Sequence, residues 1–356
     1  MCRALNTSNQ IALTAVVFNN GILHEKLTEL GIPVTLADEK ELGPATIVRR
    51  ISAHCREHCT QIVHTHGFKE NVLGIFGKEM ARVPYSMRTV HGNPETTFTI
   101  KTSHKWLVRM LDIFIGRWRQ QAVIAVSSQL EQKLKPLFPG KVHKIFNFVD
   151  VKGIREQWHN PERPTHNQPR IGIAGRLVPV KRVDIFIETI ALLNNQGVPC
   201  TGVIIGSGPL EKQLKKQAEY LKLEDRIEFT GFINPAFEEI RNLALMLMPS
   251  DHEGLPMTLL EALALSVPVI ANAVGGIPEV FENSVDGYYL VRDHTPQGYA
   301  DAVRDFLATS SIDTTRKPSS ELPPLLKRFD IESNSKDYIR IYTELSMQSN
   351  SKRSRD

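Results

Sequence analysis

The chain has 356 residues, and 43 basic against 39 acidic side chains give it a formal net charge of +4. This length favours two domains, and 41% hydrophobic with 23% charged residues excludes wholesale disorder, collagen and coiled coil. No uncharged apolar run approaches the roughly 20 residues of a membrane span, the weak net charge does not indicate nucleic acid, and four cysteines favour a reducing, cytoplasmic setting over a disulfide scaffold.

In the first half, short apolar β-branched runs alternate with amphipathic stretches, which is typical of parallel sheets with crossover helices. The first twenty residues read as part of a strand rather than as a signal peptide. Helices are predicted over Ile22–Leu30 and Ala45–Cys59. The predicted strands are Ile11–Phe18, Pro33–Ala37, Gln61–His64, Tyr85–Val90, Ala122–Val126 and His143–Ile145.

A polar, proline-containing stretch at 158–169 is predicted to link an N-terminal domain over 1–157 to a second domain over 170–315. A terminal helix is predicted within 325–346. The second domain reads as a complete doubly wound unit. Its predicted strands are Arg170–Ala174, Gly202–Ile205, Arg226–Thr230, Ala244–Met248, Pro268–Ala271 and Gly287–Val291.

Two Rossmann-like domains in series predict an α/β protein with a cleft facing the carboxyl ends of its strands, so the loops that follow strands should carry the chemistry. The most informative loop contains Glu253 and leads into a helix that carries Glu261. A helix start can hold phosphate, and a carboxylate can accept hydrogen bonds from sugar hydroxyls. Further on, Gly275 and Gly276 allow close approach of a ligand to the backbone. Taken singly, these features are as well explained by solvated charges and turns.

A basic constellation precedes this loop. Arg176 follows a strand that ends in Gly175, and Lys181 stands at the entry to the next helix. Both cations could neutralise a diphosphate and the charge that grows on it as a leaving group. A weaker phosphate-loop signal lies in the sequence Gly206, Ser207, Gly208, Pro209, which lacks the spacing of the dinucleotide and Walker fingerprints.

The ordered combination resembles the retaining glycosyltransferases of the GT-B fold, of the group-one or family-four type, from about Ile11 to Leu345. The resemblance implies that Glu253, in EGLPMTLLE, contacts the donor sugar and that Glu261 holds the nucleotide ribose. It assigns Arg176 and Lys181 to the diphosphate. Further residues in the neighbouring stretches and in the segment that matches the family's donor loop would complete the donor site. They are Gly175, Gly206, Gly208, Pro209, Gly254, Leu255, Gly275 and Gly276.

In the predicted N-terminal domain, His91 in THGNPE looks like the family histidine that approaches the donor sugar. Asn147, a candidate for the acceptor side, begins NFVD, which is similar to the family's Asn-Gly-Val-Asp but has Phe148 where glycine is usual. His66 and Gly67, at a strand end, are candidates for acceptor contact. The terminal stretch Arg328–Leu345 is similar to the family helix that crosses back to the first domain.

The implied reaction transfers a sugar from a UDP- or GDP-linked donor to an acceptor hydroxyl with retention of configuration. Arg176 and Lys181 would assist the leaving diphosphate without an obligatory metal. The family has no agreed enzymic nucleophile, and none is assigned. The expected acceptor is a glycan or lipid-linked glycan in the synthesis of surface polysaccharide, lipopolysaccharide or glycolipid.

Two further segments have competing interpretations. A cluster of histidines and cysteines from His54 to His66 contains zinc-type ligands, but inward packing of Cys55 and Cys59 from one helix face is the preferred interpretation. The stretch Lys105–Arg119 is amphipathic. It would suit an anionic membrane surface, although a helix that covers the sheet is favoured. Its predicted apolar side comprises Trp106, Leu107, Met110, Leu111, Phe114, Ile115 and Trp118, and its polar side comprises Lys105, Arg109, Asp112 and Arg119.

The first domain is one βα unit shorter than the family pattern, which normally has a strand, a Gly-rich loop and a helix before the segment that resembles Val16–Glu39. We therefore expect Ile11–Phe18 to be the second strand of its sheet, in a shortened product or fragment, unless it is the first strand and a later unit is lost. This defines a competing hypothesis, a degenerate relative that binds nucleotide or a partner without transfer. An epimerase or phosphorylase with the same architecture is a third possibility.

Overall fold

A computed structural model describes residues 1–8, 10–92, 103–158, 166–281, 288–309 and 324–353. The chain divides into two compact units. The first comprises Met1–Phe146 with Ile331–Asp356, and the second comprises Asn147–Asp330. Every described strand pair is parallel, which confirms the predicted α/β class with two Rossmann-like halves.

The first unit alternates strands with helices. Its strands are β1 (Ala15–Val17), β2 (Val34–Leu36), β3 (Ile62–His66), β4 (Tyr85–Val90), β5 (Ala122–Ala125) and β6 (Val142–Lys144). Its helices are α1 (Cys2–Thr7), α2 (Ile22–Glu29), α3 (Pro44–Glu57), α4 (Phe68–Ala81), α5 (Ser103–Arg119), α6 (Ser128–Leu134) and the terminal helix, numbered α14 (Ile331–Arg353). Strands β1 and β2 pair with each other, and β3, β4, β5 and β6 form a separate sheet in that order.

The second unit contains β7 (Arg170–Ala174), β8 (Thr201–Ile205), β9 (Ile227–Gly231), β10 (Leu245–Met248), β11 (Val269–Asn272) and β12 (Tyr288–Val291). Its helices are α7 (Val151–Trp158), α8 (Val183–Asn195), α9 (Glu211–Tyr220), α10 (Phe237–Arg241), α11 (Met257–Ala264), α12 (Ile277–Phe281) and α13 (Pro296–Thr309). The strands form one sheet in the order β12-β11-β10-β7-β8-β9.

Every predicted strand overlaps an observed one, because apolar β-branched runs bounded by turn residues give a strong local signal. The prediction for the first twenty residues is wrong at its start, where Cys2–Thr7 forms α1 and buries Leu5 completely. The terminal helix is longer than predicted, since α14 continues to Arg353.

The contact-based division between the units falls before Asn147, so α7 lies in the second unit although residues up to 157 were predicted in the first domain. The physical reason is packing, since α7 contacts α10 and α11. Most of the predicted linker, residues 159–165, lies outside the described residues. Whether the first domain lacks a βα unit stays a prediction.

Over the part of α5 whose side chains are described, the buried side differs from the predicted apolar side at several positions, including Asp112, Phe114 and Trp118. Asp112 is fully buried and Ile115 nearly so, whereas Phe114 and Trp118 are 65% and 69% exposed. Asp112 is drawn inward because it pairs with the buried Arg88 of β4 and accepts a hydrogen bond from Asn71 at 2.6 Å. The aromatic side chains are therefore left in solvent. Among the described residues, no helix is both long enough and apolar enough to cross a bilayer.

Because Arg88 is buried, removal of its carboxylate partner leaves an uncompensated charge in the core. We expect Asp112→Asn to lower the free energy of unfolding by about 3–5 kcal/mol in urea denaturation. The matched control is Asp301→Asn, which breaks an exposed ion pair with Arg304 on α13 and should cost less than about 1 kcal/mol. Equal losses in the two variants would contradict the importance of the buried pair.

Candidate functional site

The predicted nucleotide-side residues of the second unit gather at the carboxyl edge of its six-stranded sheet. Strand β7 lies between β10 and β8, and β11 follows β10. Because the strands are parallel, the loops that follow them emerge at one edge. These four loops carry, in chain order, Gly175 to Lys181, Gly206 to Pro209, Glu253 to Leu255, and Gly275 with Gly276.

The Lys181 ammonium and the Glu253 carboxylate form an ion pair across two of these loops. Lys181 Nζ donates to Glu253 Oε1 at 2.6 Å, although the residues are far apart in sequence. Lys181 ends the 3₁₀ turn Pro179–Lys181, which follows β7, and Glu253 lies in the loop after β10. The Glu253 side chain is only 8% exposed, so this pair is held in a largely desolvated position.

The loop of Glu253 is fixed in place by Gly275, which has a φ of +62°. A Cβ atom on Gly275 would lie 2.1 Å from the carbonyl oxygen of Glu253, so only glycine fits this contact. The next amide, that of Gly276, donates to the carbonyl of Gly254 at 2.5 Å. The loop after β11 therefore supports the backbone that presents Glu253.

The loop after β8 packs equally closely on the loop after β7. A Cβ atom on Gly206 would meet the Gly175 carbonyl oxygen at 2.0 Å, and one on Gly208 would meet the Leu177 carbonyl oxygen at 2.5 Å. The amide of Leu177 also donates to the carbonyl of Ser207 at 3.0 Å. These contacts explain the glycines as packing positions for the loop that carries Arg176 and Lys181.

Two charged groups at this edge have no ionic partner among the described residues. Arg176 is exposed and makes no ion pair in the part of the chain that the structure covers. Glu261, in α11, has its pKa raised by burial, and its carboxylate has no described hydrogen-bond partner. A half-buried carboxylate of this kind gains stability from any hydroxyl donor that a ligand brings to it.

Sequence reasoning missed a second charged network beside the Lys181 turn. Arg182 forms paired hydrogen bonds with Asp184 and a further contact with Asp251 at 3.2 Å. The side-chain hydrogen bond to Asp184 is the main reason that the pKa of Arg182 is raised. Arg182 has a φ of +51°, so a left-handed residue separates Lys181 from α8. In the sequence, the only signal of this network is that two basic residues, Lys181 and Arg182, are adjacent.

Asn147, predicted on the acceptor side, lies in the second unit. Its side-chain amide donates to the carbonyl of Leu255 at 2.7 Å, which ties it to the loop of Glu253. Phe148, where the family pattern has glycine, is buried, with 8% of its surface exposed. The NFVD stretch therefore begins beside the loop that carries Glu253.

In the first unit, two predicted site histidines lie where β3 and β4 end. His66 was predicted on the acceptor side, and His91 was predicted near the donor sugar. His66 Nδ1 and His91 Nε2 are 2.9 Å apart, and the two rings stack with centroids separated by 5.3 Å. Burial, followed by the neighbouring His91, lowers the pKa of His66 to about 4. His66 is therefore neutral at physiological pH.

Gly67 forms the N-cap of α4 with a φ of +95°. A Cβ atom there would lie 2.3 Å from Glu70 Oε2, so the carboxylate of the first helical turn folds back over this cap. The start of α4 is thus already faced by a negative charge.

The interpretation of Cys55 and Cys59 as one inward helix face is wrong. Helix α3 ends at Glu57, Cys59 lies beyond it with a φ of +47°, and its side chain is exposed while Cys55 is buried. All four cysteines are free thiols. Among the described residues, no group of three or more His, Cys, Asp or Glu side chains is arranged to hold a metal ion.

Two family models match the chain in succession. Residues 10–152 match Glycosyltransferase Family 4, and residues 154–320 match Glycosyl transferases group 1. These consecutive matches correspond closely to the two structural units.

Several curated proteins are similar to the chain in sequence. The chain is 24% identical over 315 residues to an alpha-D-kanosaminyltransferase of Streptomyces kanamyceticus, and this match covers 84% of this chain and 79% of the relative. It is 28% identical over 243 residues to the UDP-Gal:alpha-D-GlcNAc-diphosphoundecaprenol alpha-1,3-galactosyltransferase of Escherichia coli, covering 64% of this chain. In that relative the match spans 62% of the length, and in the putative colanic acid biosynthesis glycosyltransferase WcaL of Escherichia coli it spans 37%.

Solved structures show the fold. The Anabaena protein Alr3699/HepE in complex with UDP-glucose is similar with a TM-score of 0.76 and 19% identity, over 96% of this chain and 95% of that one. A glycosyltransferase from Rickettsia africae gives a TM-score of 0.71 at 17% identity, over 96% and 93% of the two chains. The GT-B architecture expected from the sequence is confirmed.

The lowered pKa of His66 predicts how stability depends on pH. The unfolded chain, with a histidine pKa of about 6.5, binds more protons than the folded chain between pH 6.5 and 4, so the free energy of unfolding falls as the pH drops through this window. We expect His66 to account for about 1–2 kcal/mol of the loss between pH 7 and pH 5.

The measurement is urea denaturation at both pH values. His66→Asn should show a smaller loss than the wild type, while His294→Asn, which changes an exposed histidine of the second unit, should lose as much as the wild type. An unchanged pH dependence in His66→Asn would contradict the assignment.

Proposed function

We propose that this chain, which pairs a family 4 glycosyltransferase domain with a group 1 glycosyltransferase domain, transfers a hexosyl-type sugar from a nucleotide-linked donor to an acceptor hydroxyl with retention of configuration. The observation that carries the proposal is the buried ion pair of Lys181 and Glu253, with Arg176 and Glu261 at the same sheet edge. The two cations and the two carboxylates together suit a ligand that has a diphosphate and several hydroxyls.

The cations act on the diphosphate. Arg176 has no ionic partner among the described residues and is exposed, so it is available to bind a phosphate oxygen. The ammonium of Lys181 can contact Glu253 and a phosphate oxygen together, because it has three donors. As the bond between sugar and phosphate breaks, negative charge grows on the leaving diphosphate, and two nearby cations stabilise that charge.

The carboxylates act on hydroxyl groups. Glu253, oriented by Lys181 and by the Gly275 contact, is held to accept hydrogen bonds from the donor sugar. Burial raises the pKa of Glu261. We assign its carboxylate to the ribose hydroxyls, whose donated hydrogen bonds would favour the ionised form. Neither glutamate is assigned as a nucleophile.

We favour UDP as the nucleotide and a lipid-linked glycan as the acceptor. The solved Anabaena structures contain UDP or UDP-glucose, and the name of the Escherichia coli relative specifies UDP-Gal and a diphosphoundecaprenol-linked sugar. The product then belongs to surface polysaccharide, lipopolysaccharide or glycolipid synthesis. The free thiols of all four cysteines suit the cytoplasmic face of the membrane.

The exposed side of α5 supports a peripheral contact with that membrane. Phe114 and Trp118 lie one turn apart and are mostly exposed. Arg117, which adjoins Trp118 in the helix, is also exposed, so a basic side chain accompanies the aromatic ones. Aromatic side chains beside basic ones are the combination that binds an anionic lipid surface.

The donor site is tested by calorimetry with UDP and by turnover of UDP-sugars. Glu261→Ala should weaken UDP binding by about tenfold to a hundredfold, because a hydrogen bond to a charged group is lost. Lys181→Ala should lower turnover by about a hundredfold to a thousandfold, since charge on the leaving group is no longer stabilised.

The controls are Glu224→Ala and Lys212→Ala, which remove exposed charges of the same types in the second unit and should leave binding and turnover unchanged. Wild-type binding of UDP without turnover of any donor would favour a degenerate protein that binds without transfer. Product analysis by NMR separates retention from inversion of the anomeric configuration.

The membrane contact is tested by flotation with vesicles. The double variant Phe114→Ser/Trp118→Ser should bind phosphatidylglycerol vesicles about tenfold or more weakly, because the apolar area that enters the interface is lost. The control Tyr220→Ser removes a residue that is 86% exposed in the second unit and should bind as the wild type does. Equal binding of the double variant and the wild type would exclude this surface.

A further inference from the structure

Three histidine rings stand in a row at the end of β3 and β4 in the first unit. His64 and His66 lie on the same face of β3 because alternate strand residues share a face, and their ring centroids are 4.5 Å apart. The ring of His66 stacks in turn on that of His91. The row therefore runs from the half-buried His64, through the half-buried His66, to the exposed His91.

The inner ring, that of His64, has a hydroxyl partner on each nitrogen. Tyr342 Oη of α14 lies 2.5 Å from Nδ1, and Thr89 Oγ1 of β4 lies 2.9 Å from Nε2. Tyr338, one turn earlier in α14, places its own hydroxyl 3.2 Å from the same Thr89 oxygen. The terminal helix is thus joined to the histidine row through two phenols.

The charge states of these groups fix the direction of the hydrogen bonds. Burial, and then the neighbouring His66 and His91, hold the pKa of His64 well below its usual value, so its ring is neutral with one donor and one acceptor nitrogen. Burial also raises the pKa of Tyr342, which keeps its hydroxyl protonated. A phenol is the better donor and an imidazole nitrogen the better acceptor. Tyr342 therefore donates to Nδ1, and Nε2 carries the proton that His64 donates to Thr89.

The partner on one nitrogen sets the tautomer of a histidine. With its tautomer and both hydrogen bonds fixed, the His64 ring is a rigid platform for His66. The nitrogen Nδ1 of His66 is committed to His91, whereas its Nε2 has no partner among the described residues. The position of His66 Nε2 hence depends on the His64 ring, which Tyr342 orients. This nitrogen is the atom that a ligand hydroxyl would meet.

We propose that Tyr342 of the terminal helix is a positioning residue for His66, and that it acts by fixing the tautomer and orientation of His64. The inference rests on the proposed transfer reaction, with His66 in contact with the acceptor. The last helix of the chain then contributes to acceptor recognition without contacting the acceptor.

A purely structural role for Tyr342 would be to secure α14 to β3. Such a role would also be served by the buried apolar side chains of α14, including Ile341, which is 2% exposed. The two roles differ in what they predict for the histidines. A structural contact changes stability alone, whereas a positioning contact changes the His64 tautomer and the kinetics of the acceptor.

The test compares Tyr342→Phe with two controls. Ile341→Val loosens the packing of the same helix but leaves every hydrogen bond of the row in place. Tyr220→Phe removes the hydroxyl of an exposed tyrosine in the second unit. Histidine ¹⁵N NMR at neutral pH reports the tautomers of His64 and His66, and steady-state kinetics report KM for the acceptor and for the donor separately.

In the wild type, His64 should be protonated at Nε2 alone. In Tyr342→Phe the Nδ1 partner is lost, so the His64 signals should move toward a tautomer mixture and the His66 signals should shift with them. The KM for the acceptor should rise by about threefold to tenfold, in keeping with the loss of one hydrogen bond, while the KM for the donor stays unchanged.

An unchanged His64 tautomer in Tyr342→Phe would overturn the proposal, as would a kinetic change that Ile341→Val reproduces. The NMR result does not require turnover, so it tests the positioning step even if the proposed transfer reaction fails. Other titrating groups near the row are the Met1 amino group and the Cys2 thiol of the N-terminal segment. Recording all spectra at one pH keeps their charge constant.

Discussion

In a parallel sheet all strands end at the same edge, and the candidate donor site depends on that constraint. Strands β7, β8, β10 and β11 are neighbours in the second unit, so the loops that follow them converge although they are distant in the chain. The ion pair of Lys181 and Glu253 joins two of these loops, and the close contact at Gly275 supports one of them from a third. The sheet order thus assembles charges that no single segment holds.

Burial of polar groups shapes the first unit in two places. Asp112 is fully buried, and its pairing with Arg88 decides which side of α5 faces the sheet. His64 is half-buried, and hydroxyls from α14 and β4 satisfy both of its nitrogens. In each case a polar side chain that would be costly to bury alone determines the orientation of a helix, because its partner must be reached. The exposed aromatic side of α5 and the docking of α14 follow from these pairs.

The two units contribute groups of different chemistry. The second holds cations and carboxylates, which suit a ligand with phosphate and hydroxyl groups. The first holds neutral imidazoles beside a helix start that already faces Glu70. These charges are consistent with our proposal that the second unit binds a nucleotide diphosphate and the first an uncharged, hydroxyl-bearing acceptor. This division of charge agrees with the consecutive matches to family 4 and group 1 glycosyltransferase domains.

The sequence alone determined the strand order along the chain, the α/β class and the loops that carry Arg176, Lys181, Glu253 and Glu261, because strand patterning and motif spacing are local properties. Only the tertiary structure decided that Lys181 pairs with Glu253, and that Tyr342 meets His64 across 278 positions of sequence. It also turned Asp112 of α5 inward and left Phe114 and Trp118 exposed, since periodicity identifies two helix sides but not which residue finds a buried charge partner. Local patterns specify elements, and long-range polar partners, which leave no periodic signal, specify how those elements face one another within each unit.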